Sequence, residues 1–149
     1  MSIEVNGVSK LYGAQKALDK VSFNIDNGSI IGFLGPNGAG KSTMMKIISC
    51  YIPQSSGSVS VCGFDVNESP LEVRSRLGYL PENNPLYPEM YVREYLEFVA
   101  GIHHIKNVRS RVEQMIDLVG LSLERNKKIG ALSKGYKQRV GLAQAMIHE

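Results

Sequence analysis

Apolar and polar residues alternate along several stretches of the first sixty residues, and this period of two predicts half-buried strands. The alternation is clear over residues 3–6 and 21–26, and it returns at 58–62. Residues 26–28 read Asp-Asn-Gly, a sequence that favours a tight reversal of the chain. The uninterrupted apolar run at 30–34 has the length and composition of a buried strand. We therefore expect an antiparallel β unit that leads into a buried strand.

Helical spacing of apolar residues dominates the rest of the chain. A helix beginning near residue 41 is apolar on more than one side, so we expect it to be sandwiched and to end before Pro53. Ser69-Pro70 opens a short helical segment, and residues 77–80 predict a short strand. Three amphipathic helices follow. Their apolar faces are Val92, Tyr95, Leu96 and Val99; then Val108, Val112, Met115, Ile116 and Val119, ending at Gly120; and last Tyr136, Val140, Ala143 and Ile147.

The composition is that of an ordinary globular chain, long enough for one domain with a core. Of its 149 residues, 43% are hydrophobic and 21% are charged, which excludes a disordered tail. The net charge of +3 comes without an aromatic-rich basic stretch, so we expect no direct contact with nucleic acid. No apolar run reaches the length of a membrane span, and the N-terminus lacks a leader pattern, so we expect a partner to supply any membrane contact.

The cysteines and histidines do not show the spacing of a metal centre. Cys50 and Cys62 form no disulfide framework either, and we expect reduced thiols of the kind found in cytoplasmic proteins. His103 and His104 lie between two predicted helices with no second ligand cluster, so we expect solvated loop histidines.

A phosphate-binding loop follows the apolar run at 30–34. Gly35, Gly40, Lys41 and Ser42 satisfy the pattern G-x-x-x-x-G-K-[ST], in which flexible glycines turn backbone N–H groups toward phosphate oxygens. Lys41 is expected to reach the outer phosphates, and the Ser42 hydroxyl is expected to bind Mg²⁺. The alternative is a glycine-rich turn between a strand and a helix. The residues expected to bind the nucleotide here are Gly35, Asn37, Gly38, Ala39, Gly40, Lys41, Ser42 and Thr43.

Tyr12 lies between the first two predicted strands, upstream of the phosphate loop. A tyrosine in this position either packs on the surface or forms a face on which a nucleotide base stacks. The residues alone leave both interpretations open.

A second motif lies downstream, where Leu132 to Arg139 read Leu-Ser-Lys-Gly-Tyr-Lys-Gln-Arg before a predicted helix. Ser133 is a suitable N-cap, and together with Gly135 it forms an anion site at the helix start; an ordinary cap needs Ser133 alone. With both motifs in place, the chain resembles an ATP-binding cassette (ABC) ATPase subunit over essentially its whole length. It is most similar to bacterial exporters of the ABC-2 type, including gliding-motility and drug-export cassettes.

The resemblance implies an ATP site shared between two cassettes. In the family, the motif Leu-Ser-Gly-Gly-Gln presents a serine hydroxyl and backbone N–H groups to the γ-phosphate held by the partner cassette. In this chain Lys134 and Tyr136 replace the family's first Gly and its Gln. The corresponding residues, which we call the signature segment, are Leu132, Ser133, Lys134, Gly135 and Tyr136.

Three further roles come from the resemblance. It implies that Tyr12 stacks on adenine, which favours the second interpretation of that residue. Glu82 falls where the family carries a glutamine that contacts Mg²⁺ and the attacking water, and a carboxylate is also a suitable hard ligand for Mg²⁺. We therefore expect Lys41 and Glu82 to be catalytic, with Ser42 and Glu82 binding the metal.

The implied fold is α/β, with a P-loop NTPase core, an N-terminal antiparallel β subdomain and a helical subdomain. We expect residues 1–90 to form the β subdomain and nucleotide-binding core, 91–132 the helical subdomain and 133–149 the signature helix. The family's next element is the Walker B strand, which ends in Asp-Glu, and the sequence contains no Asp-Glu pair. We therefore expect an N-terminal fragment of a cassette, truncated before that strand, which binds Mg-ATP but hydrolyses it negligibly.

As an intact dimer, the cassette is expected to hydrolyse ATP and drive a transmembrane permease subunit. This places it in the cytoplasm, peripheral at the inner face of the cell membrane. An alternative is a soluble ABC-type module, switched by nucleotide, on ribosomes or DNA. A P-loop GTPase or nucleotide kinase is a third possibility, but residues 126–129 lack the Asp of the guanine-reading N-K-x-D pattern and neither class explains the signature segment.

Overall fold

The computed structural model describes residues 2–148, which fall into two compact units. The first unit runs through Leu77, and the second begins at Gly78. The functional division into 1–90, 91–132 and 133–149 stays a prediction. In the described part of the chain, no helix combines the length and apolar character needed to cross a bilayer.

The first unit contains the antiparallel sheet that the alternation predicted. The strands are β1 (Ile3–Tyr12), β2 (Gln15–Ile25), β3 (Ser56–Val61) and β4 (Phe64–Asp65). Their order in the sheet is β2-β1-β3-β4, and each neighbouring pair is antiparallel. Strand β1 lies between β2 and β3, so its residue Ile3 pairs with Ile25 on one side and with Val61 on the other.

Two helices accompany this sheet, α1 (Lys41–Ile48) and α2 (Pro70–Arg74). Their inward side chains join the inward face of the sheet in one apolar core. The expectation of a sandwiched α1 is wrong, because Met45 is 43% exposed and the helix buries a single face. The most deeply buried members of this core are Val5, Val8, Met44, Ile47, Val59, Val61 and Val73.

The apolar run at 30–34 forms no strand, contrary to the sequence prediction. Ile30 and Leu34 are exposed, and only Phe33 is anchored, with its ring 5.5 Å from that of Phe23. A strand requires a hydrogen-bonded neighbour, and none of the four strands in residues 2–148 pairs with this segment. The strand predicted at 77–80 is absent for the same reason.

The second unit is helical and confirms the predicted hairpin of amphipathic helices. Its helices are α3 (Val92–Ile102), α4 (Val108–Leu118) and α5 (Lys134–Met146), and a 3-10 turn (Ile129–Ala131) precedes α5. The predicted apolar faces pack together in one core. Tyr136 is an exception: it is exposed at the first turn of α5, although it shares the helical spacing of that face.

Polar contacts fix α5 against the other two helices of its unit. The Tyr95 hydroxyl donates to Gln144 Oε1 at 2.7 Å, and the guanidinium of Arg111 donates to the backbone carbonyls of Met146 and Ile147 at 2.6 and 2.9 Å. Arg111 therefore satisfies carbonyls that the end of the helix leaves without partners.

Candidate functional site

The phosphate loop is closed on itself by its own lysine. Lys41 Nζ donates to the backbone carbonyl of Gly35 at 2.6 Å and to that of Pro36 at 2.7 Å. The Ala39 N–H donates to the same Pro36 carbonyl at 3.2 Å, which makes a turn inside the loop. An ammonium group has three N–H donors, so Lys41 retains one for a ligand while two hold the loop.

Glycines at two loop positions have the left-handed backbone that the motif requires. Gly38 has φ +84° and Gly40 has φ +83°, a region that L side chains rarely adopt. A Cβ at Gly38 would meet open space. A Cβ at Gly40 would lie 2.4 Å from the Ala17 carbonyl oxygen and 2.6 Å from Leu18 Cδ2. The start of α1 therefore packs directly on strand β2.

The N-terminus of α1 is left without a cap from its own chain. Gly40 is the N-cap, no side chain bonds to the first turn, and that turn holds no acidic residue. The Met44 N–H is the first to find a helical acceptor, the Gly40 carbonyl at 2.9 Å. The amides of residues 41–43 precede this bond, and together with the helix dipole they favour a bound anion.

The remaining loop residues lie around this helix start. Asn37 and Ala39 are exposed in the loop, Ser42 is exposed in the first turn and Thr43 is half-buried beside it. A hydroxyl is a hard oxygen ligand, and Mg²⁺ in nucleotide sites retains waters and phosphate oxygens as its other ligands. The exposed Ser42 hydroxyl therefore has the chemistry of a magnesium ligand.

Tyr12 is the last residue of β1, one position before the hairpin turn, rather than between strands as the sequence suggested. It pairs with Gln15 of β2 and is 49% exposed. The Lys10 ammonium lies 5.3 Å from the centre of its ring. No role was assigned to Lys10 from the sequence alone. Residues two apart in a strand share a face, so the spacing of Lys10 and Tyr12 could have indicated that their side chains are neighbours.

In the second unit, the signature segment forms the start of α5. Ser133 is the N-cap, and its Oγ accepts a long hydrogen bond of 3.4 Å from the Tyr136 N–H. Leu132 is buried, whereas Lys134 and Gly135 are exposed at the first turn. The predicted cap is confirmed, and its weak bond leaves the serine hydroxyl accessible to a ligand.

The loop that carries Glu82 packs against the same helix. Gln138 Nε2 donates to the Glu82 carbonyl at 3.0 Å, which fixes the backbone while the Glu82 side chain stays exposed. Gly141 lies so close to Asn84 that a Cβ on the glycine would overlap its side chain. Together the loop and α5 line a cavity of about 350 Å³ formed by Glu82, Asn83, Asn84, Pro85, Lys134, Lys137 and Gln138.

The structure thus groups the predicted site residues into two sets. Tyr12 and the phosphate loop belong to the first unit, and Glu82 and the signature segment belong to the second. Gln138, which links Glu82 to α5, is a residue to which the sequence analysis gave no individual role.

The remaining thiols and imidazoles lie outside both sets. Cys50 and Cys62 are free thiols, and burial raises the pKa of Cys50. His103 is a half-buried residue at the end of α3, not a solvated loop histidine, and its ring stacks on that of His148 at 4.6 Å. Burial first, then the neighbouring His148 and His104, lower the pKa of His103.

Comparison with known families shows to which protein family the chain belongs. A family model described as ABC transporter matches residues 18–149. The chain belongs to the ABC transporter family. The match extends from strand β2 through the phosphate loop and the signature segment, and it confirms the resemblance inferred from the two motifs.

Curated relatives in this ABC family include bacterial transport and resistance proteins. The bacitracin transport ATP-binding protein of Bacillus licheniformis is 34% identical, over 98% of this chain and 47% of its own length. The daunorubicin resistance ATP-binding protein of Streptomyces coeruleorubidus is 33% identical, over 99% of this chain and 48% of its own length. The chain thus spans about half the length of these relatives.

Solved ABC structures share the fold. The ATP-binding subunit of an ABC transporter superposes with a TM-score of 0.90 at 29% identity, covering 99% of this chain and 62% of that one. The dimeric structure of MJ0796, a bacterial ABC transporter cassette, gives a TM-score of 0.88 at 28% identity, covering 98% and 69%. These matches confirm the α/β cassette fold that the resemblance implied.

Proposed function

We propose that this chain binds Mg-ATP through residues 35–43 as part of the ATP-binding subunit of an ABC transporter. The observation that carries the proposal is the uncapped N-terminus of α1, which directly follows the loop whose carbonyls hold the Lys41 ammonium. An anion with several oxygens satisfies the amides and the remaining ammonium N–H together.

Four loop residues have a defined physical role in this proposal. The left-handed glycines Gly38 and Gly40 bring the backbone close to the phosphates, and Lys41 neutralises their charge. The Ser42 hydroxyl binds Mg²⁺, which supplies charge neutralisation at the phosphate oxygens. Tyr12, exposed at the end of β1, offers a ring face to the base. The nucleotide-binding residues are thus Tyr12, Gly35, Asn37, Gly38, Ala39, Gly40, Lys41, Ser42 and Thr43.

A second cassette completes the proposed site. The signature segment, with the Ser133 hydroxyl and the exposed Gly135 backbone at the start of α5, faces the γ-phosphate held by the partner. The dimeric structure of MJ0796 supports this assembly, because it is a cassette of similar fold. Hydrolysis in the whole protein would be in-line attack by water; the Glu82 carboxylate would orient that water and act as a ligand of Mg²⁺, which would neutralise charge on the phosphates.

A transmembrane permease is the proposed partner. It would couple the closing of the two cassettes around ATP to transport. The names of the relatives, bacitracin transport and daunorubicin resistance, support an exporter. In this proposal the subunit lies at the inner face of the cell membrane, where the permease holds it. Affinity purification of the tagged protein from its own cells tests this: a permease in the eluate supports it, and ribosomes in its place contradict it.

Nucleotide binding is tested by calorimetric titration of the chain with Mg-ATP. Lys41→Ala is expected to weaken binding at least tenfold, because a charged hydrogen bond contributes about 1.5–3 kcal/mol. Lys46→Ala is the matched control, since Lys46 lies in the last turn of the same helix and is exposed. We expect its affinity to stay within twofold of the unchanged chain.

Equal affinities for Lys41→Ala and the unchanged chain, with both folded by circular dichroism, would refute the proposal. Competition with GTP in the same titration tests the GTPase alternative. Stacking on the Tyr12 ring tolerates either purine, so a strong preference for GTP over ATP would favour a GTPase.

A further inference from the structure

Lys10 is held in a fixed position beside the ring of Tyr12. Its Nζ lies 5.3 Å from the ring centre, within the range of a cation–π interaction. The same ammonium donates to the Pro53 carbonyl at 2.6 Å, across 43 residues of sequence. A lysine side chain is ordinarily mobile, and here two contacts restrict it.

The segment that holds Lys10 also holds the backbone around it. The Leu11 N–H donates to Ser55 Oγ at 3.0 Å, and the Ser55 N–H donates to the Ser9 carbonyl at 2.9 Å. Residues 53–55 thus bind the end of β1 at three points, which fixes the strand that presents Tyr12.

This end of the hairpin adjoins the phosphate loop. Leu18 is the register partner of Lys10, and it is also the residue whose Cδ2 a Cβ on Gly40 would approach to 2.6 Å. Tyr12 therefore belongs to a rigid hairpin that packs directly on the start of α1. Tyr12 as a residue is 49% exposed, although the Lys10 ammonium lies over its ring.

We propose that Lys10 is a positioning residue for base recognition, which covers one face of the Tyr12 ring and leaves the other for the base of the bound nucleotide. The proposal rests on the proposed function above. The ammonium fixes the orientation of the ring before the nucleotide arrives, so less ordering is required on binding. It also draws electron density from the ring, which favours stacking on an electron-rich purine.

The test compares Mg-ATP with Mg-tripolyphosphate, which has the phosphates but no base, at 0.15 M salt to screen long-range charge. Lys10→Met keeps the apolar stem without the charge, and it is expected to weaken Mg-ATP binding roughly two- to fivefold, as for an exposed cation–π contact. Binding of tripolyphosphate is expected to be unchanged, and Lys10→Arg is expected to restore ATP affinity.

Lys16→Met is the matched control, because Lys16 lies on the same hairpin and its ion pair at 3.0 Å is with the exposed Asp19. We expect it to bind both ligands as the unchanged chain does. In a Tyr12→Leu background, Lys10→Met is expected to have no further effect, because the ring through which Lys10 acts is gone.

Equal weakening of both ligands by Lys10→Met would overturn the proposal, as would no effect on either ligand while the unchanged chain binds both. An unchanged chain that binds neither ligand would refute the proposed function and this inference together. A loss of ATP affinity in Lys10→Met that spares tripolyphosphate, and that Lys10→Arg restores, supports the proposed function and this inference.

Discussion

Gly40 is the glycine of the phosphate loop at which a single methyl group should be most damaging. At this position the backbone is left-handed, with φ +83°, and the space for a Cβ is already taken by the Ala17 carbonyl oxygen at 2.4 Å. Gly38 offers a matched control, because its φ is +84° and a Cβ there would meet nothing within 4 Å. Comparing Gly40→Ala with Gly38→Ala therefore separates the packing cost from the conformational cost.

The magnitudes follow from these two observations. A left-handed backbone costs an L-residue about 1–2 kcal/mol, and both variants incur it. Overpacking against a backbone carbonyl adds about 1–3 kcal/mol at Gly40 alone. Both substitutions also restrict the unfolded chain to the same extent, so this effect cancels in the difference. We expect Gly40→Ala to be the less stable of the two by about 1–3 kcal/mol.

Hydrogen exchange measured by mass spectrometry without nucleotide reports this difference locally. Peptides that cover α1 (Lys41–Ile48) and β2 (Gln15–Ile25) should exchange roughly 5- to 150-fold faster in Gly40→Ala than in Gly38→Ala, as the free-energy difference requires. Peptides of the second unit, from Gly78 on, serve as the internal reference. Equal protection of α1 and β2 in the two variants would refute the packing of Gly40 on the hairpin.

Three other perturbations test the second unit. Ser133→Ala should lower the free energy of unfolding in urea by about 0.5–1 kcal/mol, because the cap to Tyr136 is long, and Ser133→Asp should retain it; equal losses would contradict the capping role. Tyr95→Phe should cost about 1 kcal/mol in the same assay, because Gln144 Oε1 loses its donor, and no loss would contradict that bond. Because the pKa of His103 is lowered in the folded chain, the unfolded chain binds the proton more tightly. The free energy of unfolding is therefore highest above pH 6.5, where His103 is neutral in both states, and it falls as the pH drops below that value. His103→Gln should remove this decline between pH 7.5 and 5.5, whereas the exposed His104→Gln should only reduce it, because it removes the smallest of the three causes that lower the His103 pKa; an equal effect of the two variants would contradict this account.

Local periodicity predicted the helices well because each helix makes its own hydrogen bonds. The faces of α3 and α4 are buried as their spacing required, and two of the glycines that the loop motif contains have a left-handed backbone. Tyr136 shares the spacing of its helix face but lies at the first turn, where α5 extends beyond the core, so periodicity alone overstated its burial. The Lys10–Pro53 bond was not predictable, because it depends on how residues 43 positions apart are brought together.

The segment 30–34 shows what hydrophobic composition cannot predict. An apolar run indicates that a segment is suited to burial, but a strand exists only where a neighbour supplies its hydrogen bonds. The phosphate loop that follows does not depend on that ladder: Lys41 closes it at one end, and Gly40 packs on Ala17 at the other. Because that contact joins the loop to the hairpin carrying Tyr12, the groups proposed for the phosphates and for the base are fixed relative to each other. Position 40 therefore requires glycine for two reasons: the backbone there is left-handed, and the space between α1 and β2 has no room for a Cβ.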